Sequence, residues 1–490
     1  MALTLAALLC FASGFLLVCI SYSRQRPLFS DLLLKGSLSV GFGLAIFSVV
    51  YFLSLLLGVT QLFLVDSAVF ALFVIGFLLF RARGASFVNS TRDTAEPKSH
   101  FHRLVAIAFA LALCAALYAA VMRILAYPQG DGWEAFSIWN LHARFLFLGG
   151  PRWRDGFSSL IPWSHPDYPL LLPAAIAHFW SFLGCDTSAV PGIIGFLFTF
   201  STIGVLSSAL SILRGRTAAM LGATVLLATP AFIELGTSQY ADVPLSFFIL
   251  ATVALLCLHD CRAQDDRSHF SFGLLALAGL AAGCAAWTKN EGLLFLSTIL
   301  LARLLTLIRY GRSSAAAITR QLAPLLAAAA PVLLLVAYFK HFIAPPGDLF
   351  SDGTTALHKL VDPVRYWAIV KWYVKGSLRF GHWLVIPGTL LLIVFYFAAG
   401  KRLRETKRAE AEVGLRTSIL ALGLTLAGYF AVYLITPYDI YWHLRFSLPR
   451  LFLQLWPSAI FVFFLSIMEA KPDAPNCGED APLLRALTQT

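Results

Sequence analysis

Charge is what this sequence has little of. Asp, Glu, Lys and Arg make up 13% of its 490 residues, against roughly 25% in a soluble domain. A water-soluble globule is thereby excluded, because a chain of this length has no core large enough to hide 59% hydrophobic residues. The bilayer is the solvent such a composition calls for. Acid is scarcer than base, 26 residues against 37, which leaves a formal charge of +11. That excess does not point to nucleic acid. No basic tail or nucleic-acid module is present, and the charges sit between apolar runs. A disulfide framework is lacking too. Most of the eight Cys fall inside apolar runs, as suits single buried thiols. Cys257, His259, Cys261 and His269 cluster at a spacing that matches no zinc site. No internal repeat is visible, which weighs slightly against transporters built from two related halves. Met1–Tyr22 lacks a basic n-region, and Arg24 and Arg26 follow its apolar run. It reads as an uncleaved first span, N-terminus outside, rather than a signal peptide.

What is present is a succession of apolar runs near the ~20 residues that a helix needs to cross a bilayer. They fall at 3–22, 37–58, 63–80, 104–125, 190–212, 217–235, 244–259, 272–288, 292–308, 321–342, 383–399, 417–435 and 449–468. The pattern predicts an all-α, polytopic transmembrane bundle of about 13 spans. A further run, Leu170–Leu183, is short and contains Pro173 and His178. It is assigned to one long outside loop, 127–189, whose short helices lie on the membrane. The linkers at 23–35, 81–103, 213–216, 260–270, 309–320 and 400–416 hold most of the Lys and Arg. The positive-inside rule makes their side cytoplasmic, with Lys401-Arg402-Leu403-Arg404 the clearest marker. Three organisational units follow: N-terminal spans of unassigned role (1–103), a transmembrane module (104–468), and a cytoplasmic tail (469–490) expected to be disordered.

The polar chemistry falls on the outside. Asp131 and Glu134 follow the fourth span in Gly130-Asp131-Gly132-Trp133-Glu134, and His165-Pro166-Asp167-Tyr168-Pro169 lies in the same loop. Tyr240 and Asp242 sit where one span ends and the next begins. Lys289 and Glu291 occupy a tight hairpin, and Arg445 and Arg450 lead into the last span. Each has a bland reading. Asp131 suits a solvated loop acid or a helix N-cap, Gly130 and Gly132 a turn, Asp242 a helix start, and Lys289 with Glu291 a surface pair. Arg450 suits snorkelling to headgroups. Three acids and two cations converging on one membrane surface still make a functional site the default hypothesis.

In this order the motifs resemble the GT-C superfamily of polyprenyl-phosphate-sugar-dependent glycosyltransferases, which includes the protein O-mannosyltransferases and the lipid A aminoarabinose transferases. The resemblance covers roughly residues 104–468. It rests on Asp131, His165 through Pro169, Pro230, Tyr240-Ala241-Asp242-Val243-Pro244, Gly279 to Gly283 running into Thr288-Lys289-Asn290-Glu291-Gly292, and Arg450 with Pro457. Three departures stand out. Asp131 and Glu134 are not adjacent, no soluble C-terminal domain is present, and the spans over 3–80 have no counterpart.

The resemblance implies inverting transfer of a sugar from a lipid-phosphate donor to an acceptor hydroxyl. A single carboxylate then suffices as general base, and Asp131 is the candidate. Lys289, then Arg450, then Arg445 are candidates to hold the leaving phosphate. Asp242 is the second acid, with Glu134, Glu291, Tyr240, His165 and Asp167 in supporting or substrate-binding roles. The resemblance leaves metal dependence open, and Asp131 with Asp242 are the candidate ligands for Mg²⁺ or Mn²⁺. The expected partners are a polyprenyl-phosphate sugar, an acceptor that is a glycan, lipid or protein, and the bilayer. The expected location is the plasma (inner) membrane, with the site on its extracytoplasmic side. The basic, aromatic segment Asp362–Arg379 reads as an interfacial helix that either steers a polyprenyl phosphate or merely anchors the chain. The alternative function is a transporter or flippase for a lipid-linked sugar. It suits the sequence less, because the spans are nearly free of charge at their midpoints.

Overall fold

A computed structural model describes residues 2–22, 28–82, 100–262, 270–310, 314–347, 358–383 and 412–467. Among the described residues all regular structure is helical. The helices run α1 (Ala2–Ser21), α2 (Phe29–Leu56), α3 (Leu62–Ala82), α4 (His100–Ala126), α5 (Asn140–Leu148), α6 (Leu171–Leu183), α7 (Ala189–Arg214) and α8 (Arg216–Leu227). They continue with α9 (Pro230–Thr237), α10 (Asp242–Arg262), α11 (Phe270–Thr288), α12 (Asn290–Arg309), α13 (Ala315–Phe342), α14 (Pro363–Arg379), α15 (Glu412–Ile435) and α16 (Ile440–Ile467).

Among the described residues ten helices are long and apolar enough to cross a membrane, and α8 with α9 adds an eleventh as one span bent by 68°. The bend falls where Pro230 opens α9, since proline cannot continue the hydrogen-bond ladder of α8. The apolar helix α11 answers to the run at 272–288. The run at 383–399, the marker at 401–404, His269 and the tail 469–490 lie outside the described residues.

Helix α10 carries apolar residues on every face and is buried from Asp242 to Asp260, with α7, α11, α15 and α16 packed around it. Helices α3 and α4 lie at the other extreme, with most of their apolar side chains exposed, as bilayer-facing helices require. Close packing inside is made by small residues. A Cβ on Gly279 of α11 would stand 2.1 Å from the Leu325 carbonyl oxygen of α13.

The run over 170–183 differs from expectation. It forms α6, and every residue from Leu171 to Trp180 is buried. It packs against α1, α2 and α5 rather than lying on the membrane. Its near-continuous apolarity explains this, because a helix with no polar face has nothing to present to water or headgroups. Its buried imidazole, His178, meets Asp66 of α3 at 2.8 Å, and both side chains are fully buried. That pair joins the N-terminal helices to the rest of the bundle, as do contacts of α2 with α7 and of α1 with α11. At the far end of α10, Arg303 makes two bonds to Asp260, at 2.6 and 2.7 Å, and one to Gln321 at 2.8 Å.

Asp66→Leu leaves the buried imidazole of His178 without its partner. It is expected to cost about 1–3 kcal/mol, seen as a lowered thermal midpoint of the detergent-purified protein. Asp66→Asn, which keeps a hydrogen-bonding group, costs less. Equal midpoints for wild type and Asp66→Leu show that the pair contributes nothing.

Candidate active site

The site begins where α4 ends. Gly130 and Gly132 adopt φ of +87° and +108°, which glycine takes without a Cβ penalty. Space is closed there as well. A Cβ on Gly130 would lie 2.4 Å from Ala135, and one on Gly132 would lie 2.5 Å from the Tyr240 hydroxyl. The turn presents Asp131 at its tip. Asp131 caps no helix; its Oδ2 receives a bond from Arg123 on α4. Gln239 clips this turn to the bundle from a left-handed backbone conformation, φ +62°. Its amide donates to the Pro128 carbonyl at 2.9 Å and accepts from Asn140 at 2.7 Å. A π-turn over Ala135–Trp139 then leads into α5. Such turns often mark functional positions.

Glu134, at the start of that turn, joins a cluster of five charged side chains. Arg450 of α16 lies at its centre. The guanidinium donates to both oxygens of Glu134, with Nη2 to Oε2 at 2.7 Å. It also donates to Oδ2 of Asp242 at 2.9 and 2.7 Å. Asp242 opens α10 and is fully buried. Its Oδ1 accepts from Lys289 at 3.1 Å and from Gln454 at 2.6 Å. Lys289 is the extended residue between α11 and α12, and its ammonium also meets Glu291 at 3.0 Å. Burial alone would pull this ammonium down, but Asp242 and Glu291 hold it above its ordinary value. Three carboxylates surround two cations, so the cluster carries a formal charge of −1.

An aromatic and polar shelf backs the cluster. Lys289 lies 5.7 Å from the Tyr168 ring centroid, and Arg450 lies 5.0 Å from that of Tyr240. Tyr168 is sandwiched between Trp139 and His165 at centroid distances of 5.6 and 4.8 Å. Burial, with Glu291, Glu134 and Asp167 nearby, pushes the Tyr168 phenol well up, so it stays protonated. Asp167 faces the other way. Its carboxylate accepts from Asn290 at 2.7 Å and from Lys340 at 3.2 Å. Lys340 also donates to Asn290 Oδ1 at 2.7 Å. His165 and Asp167 thus shape the loop.

A cavity of about 920 Å³ opens beside the cluster, between the Asp131 turn, α9, α14 and α16. Asp131, Tyr240, Arg445 and Arg450 all line it. The Asp131 side chain is 44% exposed, whereas that of Asp242 is 0%.

The structure therefore brings Glu134, Asp242, Lys289, Glu291 and Arg450 into mutual contact. It sets Asp131 and Arg445 on the adjoining cavity wall. Asn290, from the Thr288–Gly292 motif, completes the framework together with Gln239, Lys340 and Gln454, which the sequence does not single out, because lone amides and a lysine at span ends carry no spacing signal. Asp131 and Asp242 do not suit a shared divalent cation. Both oxygens of Asp242 already receive donors, and Asp131 meets a guanidinium. Among the described residues no three His, Cys, Asp or Glu side chains gather as metal ligands.

Residues 170–343, just over a third of the chain, match the family model PMT, dolichyl-phosphate-mannose-protein mannosyltransferase. The matched stretch runs from α6 to the end of α13 and contains Asp242, Lys289 and Glu291. Over that stretch the chain is similar to a family of GT-C-type glycosyltransferases. No curated protein and no solved structure matches it.

Removing Arg450 leaves Glu134 without its counter-charge and Asp242 with Lys289 alone. Arg450→Gln is expected to cost about 3–5 kcal/mol of stability, while Arg450→Lys recovers part of it. Thermal unfolding in detergent measures both. Wild-type stability of Arg450→Gln shows that the carboxylates are relieved some other way.

Proposed function

We propose that the protein transfers a sugar from a polyprenyl phosphate to an acceptor hydroxyl at the outer face of the plasma membrane, with inversion. The family's description makes mannose the first sugar to test and a protein hydroxyl the first acceptor. One observation carries the reading: an accessible carboxylate and an arginine without a carboxylate partner share one cavity, against a buried charged wall.

The acceptor oxygen attacks the anomeric carbon while its proton passes to Asp131 and the bond from that carbon to the phosphate oxygen breaks. The lipid phosphate departs with the bonding electrons. Asp131 suits the base because its carboxylate is exposed to the cavity. Glu134 and Asp242 are occupied by Arg450, Lys289 and Gln454. Arg445, on the same wall and without a carboxylate partner among the described residues, opposes the charge that builds on the leaving phosphate. Lys289 works from behind by fixing Asp242 and Glu291, and Tyr240 supports Arg450. The donor set around Asp242 favours these fixed cations over a bound Mg²⁺ or Mn²⁺. Translocation of a lipid-linked sugar fits less well, because the charged cluster closes one end of the bundle rather than lining a path through it.

Purified protein in lipid, given radiolabelled polyprenyl-phosphate mannose and a membrane extract, is expected to move label into product. Asp131→Asn should lower that rate by about 100-fold or more while leaving the thermal midpoint unchanged. Full turnover by Asp131→Asn would exclude it as the base.

The orientation has a natural probe in Cys185, exposed in the turn after α6. In a Cys477→Ser background, a membrane-impermeant maleimide is expected to label sealed right-side-out vesicles, and the label should disappear in Cys185→Ser. Labelling of Cys185 only after lysis reverses the sidedness.

A further inference from the structure

Helix α14 carries chemistry that neither the base nor the charged cluster uses. Asp362 caps it by accepting from the Val364 amide at 2.9 Å, and Pro363 opens it. One side packs inward through Ala368, Ile369 and Tyr373, the last against Phe430, Tyr433 and Phe452. An apolar row remains uncovered, with Trp367, Val370, Val374 and Leu378 exposed by 69, 43, 57 and 51%. Lys371, Lys375 and Arg379 follow one another at four-residue spacing, which places them on one helix face beside that row.

The cavity walls hold five cations, Arg123, Lys375, Arg379, Arg445 and Arg450, against two carboxylates, Asp131 and Glu234. Asp131 takes Arg123, and Glu234 takes His382 at 2.9 Å. Arg450 is neutralised from behind by Glu134 and Asp242. Among the described residues Lys375, Arg379 and Arg445 have no carboxylate partner. Lys375 rests 5.0 Å from the Trp372 ring centroid and Arg445 lies 5.7 Å from that of Phe446, so aromatic rings support both.

We propose that this mouth, between α14 and α16, is where the lipid phosphate docks. Lys375, Arg379 and Arg445 hold the phosphate, and the row Val370, Val374 and Leu378 takes the first part of the apolar chain. Charge selects this place over the cluster behind it, where three carboxylates outweigh two cations and a phosphate meets net repulsion. The exposed apolar row beside the cations selects a phosphate that carries a hydrocarbon chain over a free one. The sugar identity rests on the proposed transfer reaction, but the docking does not.

The test uses full-length protein in discs of zwitterionic lipid and a fluorescent polyprenyl monophosphate. Lys375→Gln, Arg379→Gln and Arg445→Gln are each expected to weaken binding by roughly tenfold. Lys371→Gln, one turn away and off the cavity, leaves it unchanged. Unlabelled polyprenyl phosphate competes, while polyprenol, inorganic phosphate and phosphatidylglycerol do not. Equal loss in all four variants, or competition by phosphatidylglycerol, makes α14 a general membrane anchor and overturns the proposal. Competition by inorganic phosphate alone makes the site one for free phosphate and overturns it as well. The two hypotheses separate cleanly. Binding that depends on Lys375 and Arg379, with no transfer from any donor, keeps the docking site and removes the transferase reading. Transfer with unchanged KM in all three cavity variants does the reverse.

Discussion

Arg450 between Glu134 and Asp242 is the interaction on which the rest depends. An arginine that has left water needs every donor used and its charge matched. Here two carboxylates from distant parts of the chain do that, and in doing so they fix the turn after α4, the start of α10 and the middle of α16 relative to one another. Lys289 and Gln454 extend the same network to α12 through Glu291. The geometry of this end of the bundle is therefore set by charge.

That arrangement separates two kinds of ionisable group. Those inside the cluster are mutually satisfied and act as framework. Those on the cavity wall, Asp131 and the cations of α14 and α16, face space in which a substrate can sit. A strained Gln239 and two glycines that admit no Cβ hold Asp131 at the boundary between the two sets. Backbone conformations of that sort persist only where surrounding contacts over-determine them, and here the contacts are the Pro128 carbonyl and Asn140.

Most of the fold was legible in the sequence, because a bilayer imposes one length and one polarity on every span. The twelve runs that fall on described residues correspond to α1 to α4 and α7 to α16, apart from α14, with α8 and α9 sharing one run. Helix α6 was misplaced because a run of its length and apolarity suits burial as well as an interface, and its partner Asp66 lies more than a hundred residues away. The acids and cations of the site were identified as residues, since each sits where a span meets a loop. Their pairing was not legible. Nothing in the spacing says that Arg450 is neutralised and Arg445 is not, because pairing is decided by side chains that meet only in three dimensions. Lys340 and Gln454 stayed hidden inside runs that read as plain spans.

The contact between Glu134 and Arg450 spans 316 positions of the chain. A nascent polypeptide delivers the acids first: Glu134, then Asp242, then Glu291, with Lys289 the cluster's sole cation until α16 emerges. Throughout that interval the half-built cluster holds surplus carboxylates at a membrane surface, and it cannot close. Completion of the cluster thus coincides with insertion of the final helix, and a chain that ends before α16 keeps three carboxylates against the single ammonium of Lys289.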